Sequence, residues 1–323
     1  MQTLRVDGSG KDEEGEGMTP GIYYDMPAEV YHADPCDGPS LSNSVAKRLV
    51  TRSPLHAFHA HPKLGGSSAP EDDEEDADGK LNYGSACHDV LLEGGAKLLV
   101  IAPEDYPSKP KKAGEPGSIP KGWTNNAIRE ARDNAKAAGR IPVLPPQGNR
   151  IAAMVEAAKH YLSQCDIGEL WLDSKSEVTL IWQDNGIWCR ARADRLHSSN
   201  RWIGDYKSTK DASPDSFSRQ IIRMGYDFQD AFYRRGLRAL GHDNPQFSFL
   251  AQEIMAPYAC SIHACHQALK EIADAQVEYA IKTWAKCLRE KHWPGYSGML
   301  TVAEPTAWQL ADHEMALAME GEE

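Results

Sequence analysis

Residues 176–209 hold three β-rich runs, SEVTLIW, IWCRARADRL and RWIGDYKST, joined only by QDNG and by a short polar link at 197–200. Links of that length bring consecutive strands side by side, so the stretch predicts a small meander. Side chains alternate between the faces of a strand. In the second run this places Trp188, Arg190, Arg192 and Asp194 on one face and Ile187, Cys189, Ala191 and Ala193 on the other. In the third run Asp205 and Lys207 project together while Tyr206 points away. Pairing through the link at 197–200 brings Asp194 and Asp205 together near one end of the sheet, with Lys207 beside them.

The flanks are helical. SLSNSVAKRLVTRSPLHAFHAHP (40–62) reads as two helical pieces, with Ser40 or Ser42 as N-cap and Pro54 breaking or restarting the helix. NYGSACHDVLLEGG (82–95) reads as a buried helix carrying His88 and ending at a Gly-Gly stop. Two amphipathic helices follow around the Pro-rich RIPVLPPQG. After the meander come a helical stretch from 215, a strand-like FSFLAQEIMAP and a long helix from 264. The pattern predicts an α/β (α+β) chain with a helical annex. Its expected divisions are an acidic disordered tail at 1–20, one domain at 21–310 interrupted by an acidic loop at 63–80, and a C-terminal tail at 311–323.

The formal net charge of −12 is unevenly placed. Seven acids sit in EDDEEDAD (71–78), whereas residues 187–238 carry eleven Lys/Arg against six Asp/Glu, a stretch fit to face phosphates. No apolar run approaches the roughly 20 residues of a membrane span, and the N-terminal stretch has no apolar core of a signal peptide. Seven scattered cysteines without a CxxC pair predict free thiols and a reducing cytoplasm. CSIHACH (260–266) lacks the second ligand pair a structural zinc site draws on and reads as a strand end leading into a helix; HAFHAH (56–61) reads as a helix end. Trp171, Trp182, Trp188 and Trp202 read as sheet packing.

Two clustered carboxylates repel unless a cation lies between them, and an oxygen-rich site suits Mg²⁺ or Mn²⁺. Such a metal generates a nucleophile from water and screens phosphate charge, while a nearby lysine neutralises developing charge, a combination suited to phosphodiester hydrolysis. Asp194-x10-Asp205-x-Lys207, with Glu177 on the preceding strand, resembles the PD-(D/E)xK nuclease superfamily, whose core is a small mixed central sheet flanked by helices. GYDFQDAFY supplies Gln229 and Tyr233, matching the Q-x3-Y helix motif of its RecB-like branch. YHADP…LSNSVAKRLVTRSPLHAF, GSACHDVLLE, EVTLIW and WPGYSG…EPTAW are similar to the RecE (exonuclease VIII) type of prophage exonuclease, over residues 21–310.

The resemblance implies His88, Asp194, Asp205 and the Tyr206 carbonyl as metal ligands, Lys207 as the catalytic lysine, Gln229 and Tyr233 as positioning groups and Glu177 as a metal-proximal acid. It further implies 5′-to-3′ digestion of double-stranded DNA ends, a RecT-type single-strand annealing partner and a homo-oligomeric ring. Arg190, Arg192, Arg219 and Arg223 are the expected DNA-tracking cations. Rival readings are a RecB-like nuclease acting on single strands or flaps and a DNA-binding recombination scaffold without cleavage.

Overall fold

A computed structural model of the chain describes residues 17–65, 81–93, 95, 97–110, 115–300 and 302–320. Most of the expected N-terminal tail (1–16), nearly all of the acidic loop (66–80) and residues 321–323 lie outside the described residues.

The chain opens with β1 (Gly21–Tyr23), α1 (Ala28–His32), β2 (Leu41–Ser42), α2 (Asn43–Thr51) and α3 (Pro54–Ala60). Ser42 caps α2, its hydroxyl accepting from the Val45 N–H, and Pro54 takes the first turn of α3, where a missing N–H is harmless. Next come α4 (Tyr83–Glu93), β3 (Leu98–Val100), α5 (Asn126–Ala137), β4 (Ile141–Val143), α6 (Pro145–Leu162) and α7 (Gly168–Leu172). The meander follows as β5 (Ser174–Asp184), β6 (Ile187–His197) and β7 (Trp202–Thr209). The chain continues through α8 (Pro214–Met224), α9 (Tyr226–Ala239), β8 (Gln246–Glu253), β9 (Cys260–His263), α10 (Gln267–Glu290) and α11 (Ala307–Glu320). Gly225, at φ 65°, ends α8 in the left-handed conformation that a side chain disfavours, and α9 starts at the next residue. CSIHACH does lead from strand to helix: it spans β9 and the N-cap of α10, His266.

Seven strands form one mixed sheet in the order β1-β5-β6-β7-β8-β9, with β2 alongside β6. The β5–β6–β7 connections are antiparallel, as the short links require, while β7 and β8, joined through α8 and α9, run parallel. Helices cover both faces. On one side Val45, Leu49, Phe217, Phe232 and Trp284 pack with Trp182 and Phe249; on the other, Cys87, Met154, Leu162 and Trp171 pack with Trp202 and Tyr206. Of the four tryptophans expected in sheet packing, Trp171, Trp182 and Trp202 are buried and Trp188 is half-buried. Among the described residues, no helix is long and apolar enough to cross a membrane. All seven cysteines are free thiols.

Strict alternation along β6 fails at one place. Cys189, Ala191 and Ala193 point into the same core as Leu196, so the pattern slips by one at the level of Asp194. The partner strand breaks there too: Ser176 pairs with Arg195 and Val178 with Ala193, but Glu177 stands between them at φ 55°, outside the ladder. A non-glycine residue in that region is strained, and such strain collects at functional sites.

Candidate active site

The sheet register lines up three carboxylates. Asn185 and Gly186 close a two-residue turn, both at positive φ, which pairs Asp184 with Ile187; counting back along the hairpin sets Glu177 opposite Asp194. Across the next strand Arg195 faces Gly204, which sets Asp194 opposite Asp205. A row of acids therefore crosses β5, β6 and β7.

Helix α4 delivers the imidazole. His88 Nε2 lies 3.3 Å from Asp194 Oδ2 and 3.7 Å from Glu177 Oε1. Its approach depends on Gly84, one turn earlier on the same helix face: a Cβ there would meet the Ser208 Oγ on β7 at 2.0 Å. The three side chains His88, Glu177 and Asp194 offer ligand atoms all within 4.8 Å of one another. One imidazole nitrogen and carboxylate oxygens form a donor set that could hold a divalent metal ion. Glu177, expected only as a metal-proximal acid, is thus a full member of this group, and Asp205 is not.

Asp205 has a different setting. Its side chain is 1% exposed, with Lys207 Nζ 2.7 Å from Oδ2 and Gln229 Nε2 donating to Oδ1 at 2.6 Å. Lys207 also lies over the Tyr226 ring, 4.8 Å from its centroid. Asp194 accepts from the backbone N–H of Tyr206 at 2.8 Å, so the ladder between β6 and β7 is replaced by a side chain where the strands part. The Tyr206 ring turns to the other face, its hydroxyl donating to Gln252 Oε1 at 2.8 Å. Tyr233 donates to the Arg192 carbonyl at 3.0 Å, tying α9 to β6. Gln229 and Tyr233 therefore brace the acid-bearing strands in this structure.

Charge crowding sets the protonation. Burial raises the Asp205 carboxyl, and the Asp194 charge raises it further, to about 6, against the pull of Lys207. Burial likewise opposes the charge on Asp194, but the His88 imidazolium and the hydrogen bonds it receives hold it below the usual range. Burial disfavours the His88 cation, yet Asp194 and Glu177 outweigh it and lift this imidazole to about 9. Burial and Asp194 also raise Glu177, despite the Arg192 guanidinium 2.6 Å from its Oε2. Lys207 is driven above its ordinary value by Asp205 and Asp194 in spite of burial. His88 and Lys207 set positive charge against these acids.

The expected cations divide. Arg190 is buried, 4% exposed, and its guanidinium is engaged by the Ser40 carbonyl and hydroxyl and by Asp34, which corrects its assignment as a phosphate-facing group. Arg192 is held by Glu177 and by the Met26 carbonyl at 2.8 Å. Arg219 and Arg223 are exposed on α8 and are not among the residues that line the cleft over the acids. Alternation along β6 places Arg190 on a charged face, and Asp34 and Ser40, far upstream in the chain, cover it. The partners of Glu177 were recoverable from the hairpin turn, since its length fixes which residue stands opposite Asp194.

Residues 68–305 match the PDDEXK-like domain of unknown function DUF3799. No curated protein matches the sequence. A crystal structure described as "Putative exonuclease" from Eubacterium rectale superposes with a TM-score of 0.53 over 88% of this chain and 96% of its own, at 10% identity, a likeness of fold. The structure of SSO0001 covers 48% of this chain and 69% of its own at 11% identity, with a TM-score of 0.23 too low to carry weight. With three quarters of its length inside that domain and its carboxylates, lysine and glutamine gathered at one end of a mixed sheet, the chain belongs to the DUF3799 family of PDDEXK-like proteins.

Proposed function

We propose that the protein is a metal-dependent DNA nuclease, and within that class a 5′-to-3′ exonuclease on double-stranded ends that leaves 3′ single strands. The observation that carries this is the convergence of His88, Glu177 and Asp194, with Lys207 beside Asp205. A divalent cation, Mg²⁺ or Mn²⁺, held by that group would generate a nucleophile from water and screen phosphate charge.

The chain's own groups fit that chemistry. Lys207 sets a fixed positive charge beside the acids, where it can neutralise charge that develops on a phosphate. Gln229 holds Asp205 in one orientation, and the Tyr206 N–H does the same for Asp194. Asp205 would add a further carboxylate, and the Tyr206 carbonyl a further oxygen, to such a cation. End polarity, a RecT-type annealing partner and a homo-oligomeric ring rest on the sequence resemblance to RecE-type exonucleases. Free thiols suit a reducing cytoplasm.

The test is digestion of linear duplex DNA labelled at the 5′ or the 3′ end, beside a closed circle, with Mg²⁺ and with EDTA. Early metal-dependent release of 5′ label with an intact circle is the expected result. A nicked circle would identify an endonuclease, and DNA bound but uncut with Mg²⁺ or Mn²⁺ would identify a scaffold.

A further inference from the structure

The cleft over the acids encloses about 920 Å³, and its lining carries charges of both signs. Glu177 and Asp194 belong to that lining. Helix α2 and its C-cap line the same cleft: Asn43, Ser44, Lys47, Arg48, Thr51 and Arg52 contribute to it, while Val45, Ala46 and Leu49 on the opposite face of the helix are buried in the core. The split is that of an amphipathic helix whose polar side meets a cavity instead of open solvent.

The sequence around α2 is as one-sided as the helix. From Gly38 to Pro70 there is no Asp or Glu, in a chain with 47 of them, whereas Lys47, Arg48, Arg52 and Lys63 fall in that span. Helix α2 itself therefore contains cations and no acid.

We infer that this face of α2 is the phosphodiester-binding wall of the site, gripping the backbone of the nucleic-acid strand that leads to the carboxylate cluster. The inference rests on the nuclease reading above and names the residues that hold its substrate. Arg48 and Arg52 are one turn apart, about 6 Å along the axis, so their long side chains reach separate phosphates. Asn43, Ser44 and Thr51 add short hydrogen-bonding groups of the kind that contact phosphate and sugar. No aromatic residue on this face offers a stacking platform, so the grip is insensitive to sequence and sensitive to salt.

Lys47 ties the wall to the catalytic side. Its Nζ donates to the Met224 carbonyl at 3.2 Å, and its stem passes Gly225 so closely that a Cβ there would sit 3.0 Å from it. Gly225 is the residue before α9, the helix that presents Gln229 to Asp205. The phosphate wall and the positioning helix are thereby joined at one point.

The experiment measures binding of a fluorescein-labelled linear DNA duplex by anisotropy across a salt series, in the Lys207→Ala background with Mg²⁺, beside cleavage by the corresponding single-background enzymes. Arg48→Ala/Arg52→Ala is expected to lower affinity at least tenfold at low salt and to flatten the slope of log K against log salt by about 0.9 for each phosphate left without its cation. Arg48→Lys/Arg52→Lys, which keeps the charges, is expected to keep the slope. Unchanged affinity and slope in the alanine variant, with wild-type DNA binding and cleavage intact, would overturn the wall and leave the nuclease reading standing. The same holds if Arg219→Ala/Arg223→Ala on α8 carries the loss instead. A wild-type chain that binds no DNA overturns both.

Discussion

Gly84 on α4 and Ser208 on β7 pack so closely that a side chain on the glycine would lie 2.0 Å from the serine hydroxyl and 2.7 Å from its Cβ. That contact sets the distance at which His88 meets the acids. Gly84→Ala gains up to about 1 kcal/mol of helix propensity but forces an overlap costing about 1–3 kcal/mol, and the helix must retreat. Expected is a lower urea midpoint and a more than tenfold fall in Mg²⁺-dependent cleavage. Ser208→Gly removes both obstructing atoms, so the double variant should recover cleavage; a double variant as inactive as Gly84→Ala would show that packing is not the cause.

Gln229 has a similarly narrow duty. Its amide donates to the ionised form of Asp205, a carboxyl already raised to about 6 by burial and the Asp194 charge. Removing a donor to the charged form raises the value further. Gln229→Ala should therefore move the acidic limb of the pH–rate profile to higher pH and reduce cleavage at pH 6 more than at pH 8. Parallel profiles for variant and wild type would refute this role.

Lys207 and Asp194 should separate by function. Lys207→Ala should lose cleavage by at least a hundredfold while still binding Mn²⁺, because Lys207 donates positive charge and no ligand atom. Asp194→Ala should lose both, as one of the three convergent donors. Calorimetric Mn²⁺ titration of each variant reads the difference, and Mn²⁺ binding unaltered in Asp194→Ala would exclude Asp194 as a ligand.

Away from the acid row, Asp34 predicts a pH dependence of folding. Burial opposes its charge, but His61, Arg190 and Ser40 hold the carboxyl down at about 2. A depressed carboxyl stabilises the fold above its unfolded value, near 4, and the contribution fades as pH falls toward 2; the shift corresponds to roughly 2 kcal/mol. Urea midpoints at pH 7 and pH 3 should therefore converge for wild type and Asp34→Asn as pH falls. A gap that persists unchanged at pH 3 would contradict the assignment.

Much of the architecture was legible because the deciding signals are local. The links at 183–186 and 197–200 are short enough to dictate antiparallel neighbours, and Ser42, Pro54 and the glycines mark helix ends. That Asp194 stands opposite Asp205 in register followed from pairing alone. What escaped depends on distant chain. Nothing near Arg190 in sequence shows that Asp34 and Ser40 will bury it, and nothing near α2 shows that its polar face will line the same cleft as the acids. The slip in alternation at Asp194 also had no local marker, since no glycine or proline stands there. Short strands such as β1, β2 and β4, at two or three residues, carry too little periodicity to be read.

The hairpin gives the site an unusual evolutionary latitude. Glu177 and Asp194 face each other because equal numbers of residues separate each of them from the Asn185–Gly186 turn. Trimming one residue from each arm beyond Trp182 would leave that opposition intact, while deleting a single residue from either arm would misalign it. Descendants of this chain can lengthen or shorten the arm in matched steps, but their indels there must come in pairs.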